Sequence, residues 1–437
     1  MRLPGLVASC RSPIVGLLML AALLPLPARA DIIEDWIAIA DRGPDGRPLP
    51  PPLQGQNERT APPLVALAMF EAANMIERRY ASHLGLGLQP RGASQEAAVV
   101  IAAHVVLARL YPARRDRLDV ALTLALASVP DGSAREAGMA IGRIAGEAGL
   151  RRGVFTGPDA PAYRPAGEIG RFVPPALPAF APWFMRARPF SLKDWNEVVP
   201  PPPPPIASER YARDFDEVRL LGGKGQPQST AAGAQIAEFI AGFTIDPTVR
   251  RIAAGKARLV DRARLWALVR IAGLEANVAI AQAKMRYMTW RPLNAIRNAD
   301  RDDNPATQRD ALWEPVMPTP NHPEYPCGHC GFSGVYAGVL AAETSGPIEV
   351  ASDIAPLSVT ITYRDWPTFL AATSLARIQG GMHFRFSNEA GQAVGMRVGK
   401  LAVARFAPPL AASAALRSAK GAADHRPADA DEQQPRR

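Results

Sequence analysis

Three separated clusters set histidine beside permanent cations. In KMRYMTWRP, Lys284 and Arg291 lie seven residues apart, about two turns of an α-helix, so the spacing predicts one shared face on a helix that Pro292 ends or kinks. In PEYPCGHCGFSG, Pro323 to Gly334, a proline and Gly328 precede His329 and a run of small residues. Unpaired amides at a helix start favour an anion, Gly328 lets the backbone approach it, and His329 would stand at its edge with a pKa suited to proton transfer. In ARIQGGMHFRFSNEAG, Arg377 and His383 are six apart, on different faces of an unbroken helix. Gly380 and Gly381 can break that helix and turn both side chains to one point.

Each cluster alone has a plain structural alternative: a solvated basic face, a capping histidine, a glycine-capped helix end. Cys327-Gly328-His329-Cys330 also reads as a thiol redox pair, which would need a strand before it and a helix after it. The preceding segment, Pro318 to Pro326, holds four prolines and no plausible strand, so an oxyanion cradle is the expectation and a thiol oxidoreductase the weaker alternative.

In order, Lys-x6-Arg-Pro, Pro-x-Gly-His and Arg-x5-His resemble the signature of the vanadium-dependent haloperoxidases and the type 2 phosphatidic acid phosphatase superfamily. PTPNHPEYP, GGMHFRFSNEAG, LASVPDG and STAAGAQIAEFI look like its soluble bacterial haloperoxidase-type branch, and the likeness runs roughly from Asp31 to Phe406. The resemblance implies an all-α helical bundle and a vanadate cofactor, with phosphate able to take the same place. Lys284, Arg291 and Arg377 would hold the oxyanion, with Cys327 at the position of a hydroxyl donor and Gly328 giving its amide. His383 would ligate vanadium and His329 would be the acid or base opposite it. The implied activity is oxidation of halide by hydrogen peroxide. The alternative is a phosphomonoesterase that passes through a phosphohistidine at His383. Three positions depart from the family pattern: Cys327 stands for a serine, Ala376 for a serine, and Ser387 for the aspartate that orients the second histidine, a role Glu389 is placed to take over. A non-catalytic oxyanion-binding protein therefore stays open as a further alternative.

These residues need long helices to hold them. Apolar positions recur every three or four residues at 61–80, 96–110, 115–128, 134–151, 231–243, 257–290, 331–343, 368–379 and 389–406, while alternating strand patterns are scarce, which predicts an all-α domain. We divide it into an N-terminal helical half, about 31–228, and an oxyanion-binding half, about 229–410. The proline-rich stretch 155–206 is expected to run extended over the bundle, with a linker between domains as its alternative. Residues 411–437 read as a disordered tail.

Arg2 and Arg11, an apolar run and ARA at 28–30 read as a secretory signal cleaved near Ala30, giving a secreted or periplasmic protein without a membrane span. Its removal lowers the formal charge from +9 to +6, too modest an excess in a chain this long to imply nucleic acid. The expected partners are small molecules: peroxide and halide, or a phosphate monoester. Among the other histidines, His104 is expected in the core, His83 and His425 on the surface or tail, and His322 in a loop without a role. Trp195, Trp290, Trp313 and Trp366 are expected to pack.

Overall fold

The computed structural model describes residues 31–44, 60–89, 92–154, 163–164, 167–177, 187–352 and 359–410. The expected signal segment, the expected tail and His425 lie outside them. Among the described residues, thirteen α-helices surround one small sheet. The first five are α1 (Ile32–Arg42), α2 (Ala61–Ile76), α3 (Gln95–Leu110), α4 (Arg115–Ala127) and α5 (Ser133–Arg152). There follow α6 (Glu209–Leu221), α7 (Ala231–Ala241), β1 (Phe243–Thr244), α8 (Asp246–Ala254), α9 (Leu259–Tyr287) and α10 (Pro292–Arg297). The chain closes with α11 (Gly328–Leu340), β2 (Ile348–Ser352), β3 (Thr360–Tyr363), α12 (Trp366–Gln379) and α13 (Arg385–Arg405). The strands pair antiparallel in the order β1-β2-β3.

The nine expected helices are present with ends shifted by a few residues, while α1, α6, α8, α10 and the sheet were not foreseen. Polar caps set several of the starts. Ser94, Ser208, Thr230 and Asp365 accept the amides of Ala97, Tyr211, Gly233 and Thr368, each satisfying a donor the helix itself cannot pair. Among the described residues no single helix is long and apolar enough to cross a membrane.

The central 29-residue α9 is buried around most of its circumference. A helix buried on most sides belongs inside a bundle, and one core joins it to α2, α3, α11 and α13. Two pairs of helices approach along glycine rows. A methyl group at Gly334 would strike the Gln392 carbonyl, and one at Gly395 the carbonyl of Gly331, so α11 and α13 touch backbone to backbone. Gly138 and Gly142 do the same for α5 against the carbonyls of Ser94 and Ala98 in α3.

The described parts of the proline-rich stretch are strapped to the bundle. The Pro200 and Pro201 carbonyls accept the Tyr287 and Tyr325 hydroxyls at 2.6 and 2.7 Å. Buried Glu275 accepts the amides of Phe190 and Ser191 at 2.7 and 2.8 Å. Trp313, Trp290 and Trp366 are buried, as expected, and Trp195 packs partly buried against the core. His104 is buried as expected, its Nε2 2.6 Å from Asp119 Oδ1. His83, expected on the surface, is only partly exposed: its ring lies 5.0 Å from Phe406 and 5.7 Å from Phe190, and burial and then Arg152 lower its pKa to about 4.

Candidate oxyanion site

Lys284 and Arg291 do not share a helix. α9 ends at Tyr287, where Met288 turns left-handed at φ 49°, and Arg291 lies in extended backbone at φ −84°, ψ 157° as the residue before α10. Pro292 dictates this, because its ring disfavours helical backbone at the residue before it. Both side chains are nonetheless buried near one another, at 4% and 0% exposure. The Lys284 ammonium donates to the carbonyls of Pro323 and Glu324 at 2.8 and 2.7 Å, leaving one of its three hydrogens. Burial and then Arg291 lower its pKa to about 7.

The glycine break behaves as the spacing implies. α12 stops at Gln379, Gly381 takes φ +73°, and His383 turns back towards Arg291. Arg291 Nη1 donates to His383 Nε2 at 3.2 Å and to the Met382 carbonyl at 2.9 Å. Since a guanidinium can only donate, Nε2 carries the lone pair and Nδ1 the hydrogen. That hydrogen goes to Glu324 Oε1 at 2.8 Å. Burial and then Arg291 and Lys284 push His383 well below the ordinary imidazole value, which agrees with a neutral ring.

Glu324 is the residue that sequence reasoning missed. It is fully buried, also accepts the Phe384 amide at 3.2 Å, and has its pKa raised to about 7 by burial, with Lys284 and Arg291 opposing. It fills the role expected of an aspartate four residues after His383. Ser387, which does occupy that position, stands 3.4 Å from Nδ1. Glu389 does not substitute, because it pairs with Arg210 at 2.7 Å on the surface. His322, expected to have no role, is also part of the cluster: Arg291 reaches its Nδ1 at 2.9 Å and its carbonyl at 3.0 Å.

Cys327 caps α11, its sulfur accepting the Cys330 amide at 3.2 Å. Both cysteines are free, buried thiols, with Cys327 Sγ donating to Cys330 Sγ at 2.7 Å and Cys330 Sγ donating to Asn388 Oδ1 at 3.3 Å. Burial raises the Cys327 pKa, but the Cys330 thiol and then Arg377 outweigh it, so its net direction is down. Among the described residues no strand lies between α10 and α11, so none leads directly into this helix, against the oxidoreductase alternative.

A cavity of about 730 Å³ is lined by Lys284, His322, Gly328, His329, Arg377 and His383 among others. A methyl group at Gly328 would meet no atom within 4 Å, so the start of α11 faces open space. His329 Nε2 donates to the Ala241 carbonyl at 3.2 Å, leaving Nδ1 as the acceptor. Its pKa is not near neutrality as expected: burial, then Arg377, bring it to about 3. Arg377 is 2% exposed, and its Nε and Nη1 find no acceptor.

These residues fit an oxyanion. Buried cations ordinarily carry carboxylate partners, yet the carboxylate among them, Glu324, is engaged with His383. Lys284, Arg291 and Arg377 against Glu324 leave a net surplus of two positive charges, and Arg377 lacks the acceptors that tetrahedral oxygens provide. Among the described residues no group of three or more His, Cys, Asp or Glu could chelate a metal ion.

Residues 264–410 match the family model of the VCPO second helical-bundle domain. The vanadium chloroperoxidase of Curvularia inaequalis is 30% identical over 107 residues, which cover 23% of this chain and 18% of that protein. The chain thus matches less than a fifth of the length of that curated relative. The crystal structure of the first bacterial vanadium-dependent iodoperoxidase superposes with a TM-score of 0.63 at 21% identity, covering 86% of this chain and 95% of that one. A holo-type bacterial vanadium-dependent chloroperoxidase gives 0.61 at 19% identity, covering 78% and 89%. An apo-type structure gives 0.62 at 18%, covering 81% and 94%. Residues 264–410 are thus similar to the VCPO second helical-bundle domain, and the chain has the all-α fold of the vanadium haloperoxidase structures.

Proposed function

We propose that the protein is an exported vanadate-dependent haloperoxidase that oxidises halide with hydrogen peroxide. The observation that carries this is Arg377, a buried guanidinium whose Nε and Nη1 lack acceptors, lining the same cavity as a histidine whose Nε2 lone pair is fixed by a carboxylate. Lys284, Arg291, Arg377 and the Gly328 amide would hold the oxyanion, and His383 Nε2 would ligate vanadium in place of its contact with Arg291. When bound, vanadate supplies the Lewis-acid centre at which peroxide is activated towards halide.

The chain's own residues then divide the work. Glu324 holds the Nδ1 hydrogen of His383, which keeps Nε2 aimed as a ligand and raises its basicity. His329, anchored through Nε2–H on Ala241, keeps Nδ1 as a base for the peroxide proton. Its low pKa reflects burial first and then the surrounding cations, and a bound oxyanion offsets the cations and so raises it. The fixed cations need no rearrangement as negative charge develops, the condition under which such groups stabilise a transition state most.

Purified protein loaded with orthovanadate, given peroxide and bromide or iodide, should halogenate a phenolic dye. Absence of turnover with every halide, alongside p-nitrophenyl phosphate hydrolysis that orthovanadate inhibits, would replace this reading by the phosphomonoesterase one. Orthovanadate binding with neither activity would leave a binding protein.

A further inference from the structure

The cavity is larger than oxyanion chemistry requires. A tetrahedral oxyanion with a peroxide beside it displaces about five waters, or ~150 Å³ at about 30 Å³ each. Most of the 730 Å³ remains, and the whole falls in the range of about 300–1,000 Å³ usual for organic ligands. One wall is a single face of α9, where Arg270, Gly273, Asn277, Ala281 and Lys284 step by three or four. At 1.5 Å per residue the cavity follows that helix for about 21 Å from Lys284 at the oxyanion end.

The far end is built of charged groups. Arg270 donates to Asp41 at 2.6 Å and to Asp246 at 2.8 Å. Asp246 is 6% exposed, lines the cavity, and its second oxygen, Oδ1, has no donor. Arg270 already bonds both carboxylates, so the group missing at Asp246 Oδ1 is a hydrogen-bond donor. Aromatic rings connect the two ends. Phe243 lies 6.4 Å from the His329 ring and 6.2 Å edge-on from Tyr336, which stacks on Phe332 at 6.4 Å.

We infer that this outer part of the cavity binds the organic acceptor of the reaction: an aromatic molecule of about two rings, its faces against Phe243, Phe332 and Tyr336, its O–H or N–H on Asp246 Oδ1. The inference rests on the haloperoxidase reading for the word acceptor, though not for the binding itself. Halogenation there balances simply: hypohalous acid gives its halogen as X⁺ to a ring carbon, the ring proton joins the hydroxide left behind, and water departs. Confinement beside His329 would favour the ring positions that face inward over those a free oxidant would choose.

Calorimetric titration with 2-naphthol and with its methyl ether, which keeps the rings and lacks the donor, tests the subsite without turnover. One 2-naphthol should bind per chain at least about tenfold more tightly than the ether, the usual worth of a hydrogen bond to a charged acceptor. Asp246→Asn, which can still accept from Arg270, should shrink that preference to about threefold or less, while Phe332→Ala weakens both ligands alike. Equal affinity for the two ligands, no binding of either, or an unchanged preference in Asp246→Asn overturns the subsite. Orthovanadate titrated into the same protein reports on the oxyanion site separately: its failure with the naphthol preference intact sinks the haloperoxidase reading and leaves the subsite standing.

Discussion

Arg377→Met should reverse the order of two melting curves. Without an anion, Arg377 is a buried cation whose Nε and Nη1 go unpaired, and burial lowers its pKa. Methionine has similar length and no charge to desolvate, so the variant should be more stable than wild type by about 1–3 kcal/mol, the cost of an unsatisfied buried polar group. In a chain this long that moves Tm upward by a few degrees, at about 2–4 °C per kcal/mol or less. With orthovanadate the sign changes. Two hydrogen bonds to charged oxygens at about 1.5–3 kcal/mol each are lost, weakening binding by about 10² to 10⁴-fold. At a hundred times its Kd, orthovanadate adds about 2.7 kcal/mol to wild type and almost nothing to the variant. Thermal unfolding in phosphate-free buffer, with and without orthovanadate, reads both effects. A variant that melts below wild type without the anion, or that keeps its orthovanadate affinity within about threefold, refutes the reasoning.

Lys284 gives a pH-dependent counterpart. Its folded pKa of about 7 lies below the ordinary 10.5, so between those values the unfolded chain holds more protons and stability rises with pH. The stability gain of Lys284→Met over wild type should therefore be larger at pH 6 than at pH 9 in denaturant titrations, and an equal gain at both would contradict the depressed value. Glu324→Ala should weaken orthovanadate binding by about 10 to 100-fold. Ser387→Ala should change it less than about threefold, and Glu324→Gln, whose amide oxygen still accepts from Nδ1, should recover most of the loss. Equilibrium dialysis that puts Ser387 ahead of Glu324 would show the histidine is oriented otherwise. Cys327→Ser exchanges a weak thiol donor for a hydroxyl, so affinity should rise about threefold to tenfold, for a net hydrogen bond of about 0.5–1.5 kcal/mol. A fall in affinity would show that the thiol is adapted to its place.

Lys284 with Arg291 and Arg377 with His383 could be paired from the chain because their intervals are short and punctuated by Pro292, Gly380 and Gly381, while the family resemblance joined these pairs to His329. The path between them was less legible. The seven-residue step from Lys284 to Arg291 suggested a continuous helix, whereas the backbone constraint before Pro292 and the left-handed Met288 end it first. Glu324 was hidden for a different reason: it lies 59 residues before His383, and nothing local to either marks a contact made only by folding. A buried acid directly before the Tyr-Pro-Cys turn was the available signal. The His329 pKa was misjudged because it is set by burial and by Arg377, Arg291 and Lys284, whose distances no spacing gives. The sheet escaped notice because strands of two to five residues carry too little alternation to stand out.

The glycine rows between α11 and α13 bear on how such a protein could be re-engineered. The carbonyl of Cys327 lies where a side chain at Gly391 would have to be, so α11 starts wedged directly against α13. Contacts of that kind have no rotamers to adjust, and a single added methyl prises the pair apart. Attempts to widen substrate scope should spare this seam and diversify the cavity-lining side chains at Asp41, Phe243 and Phe332 instead. Libraries randomised there should yield folded proteins far more often than libraries of equal size drawn from the glycine positions.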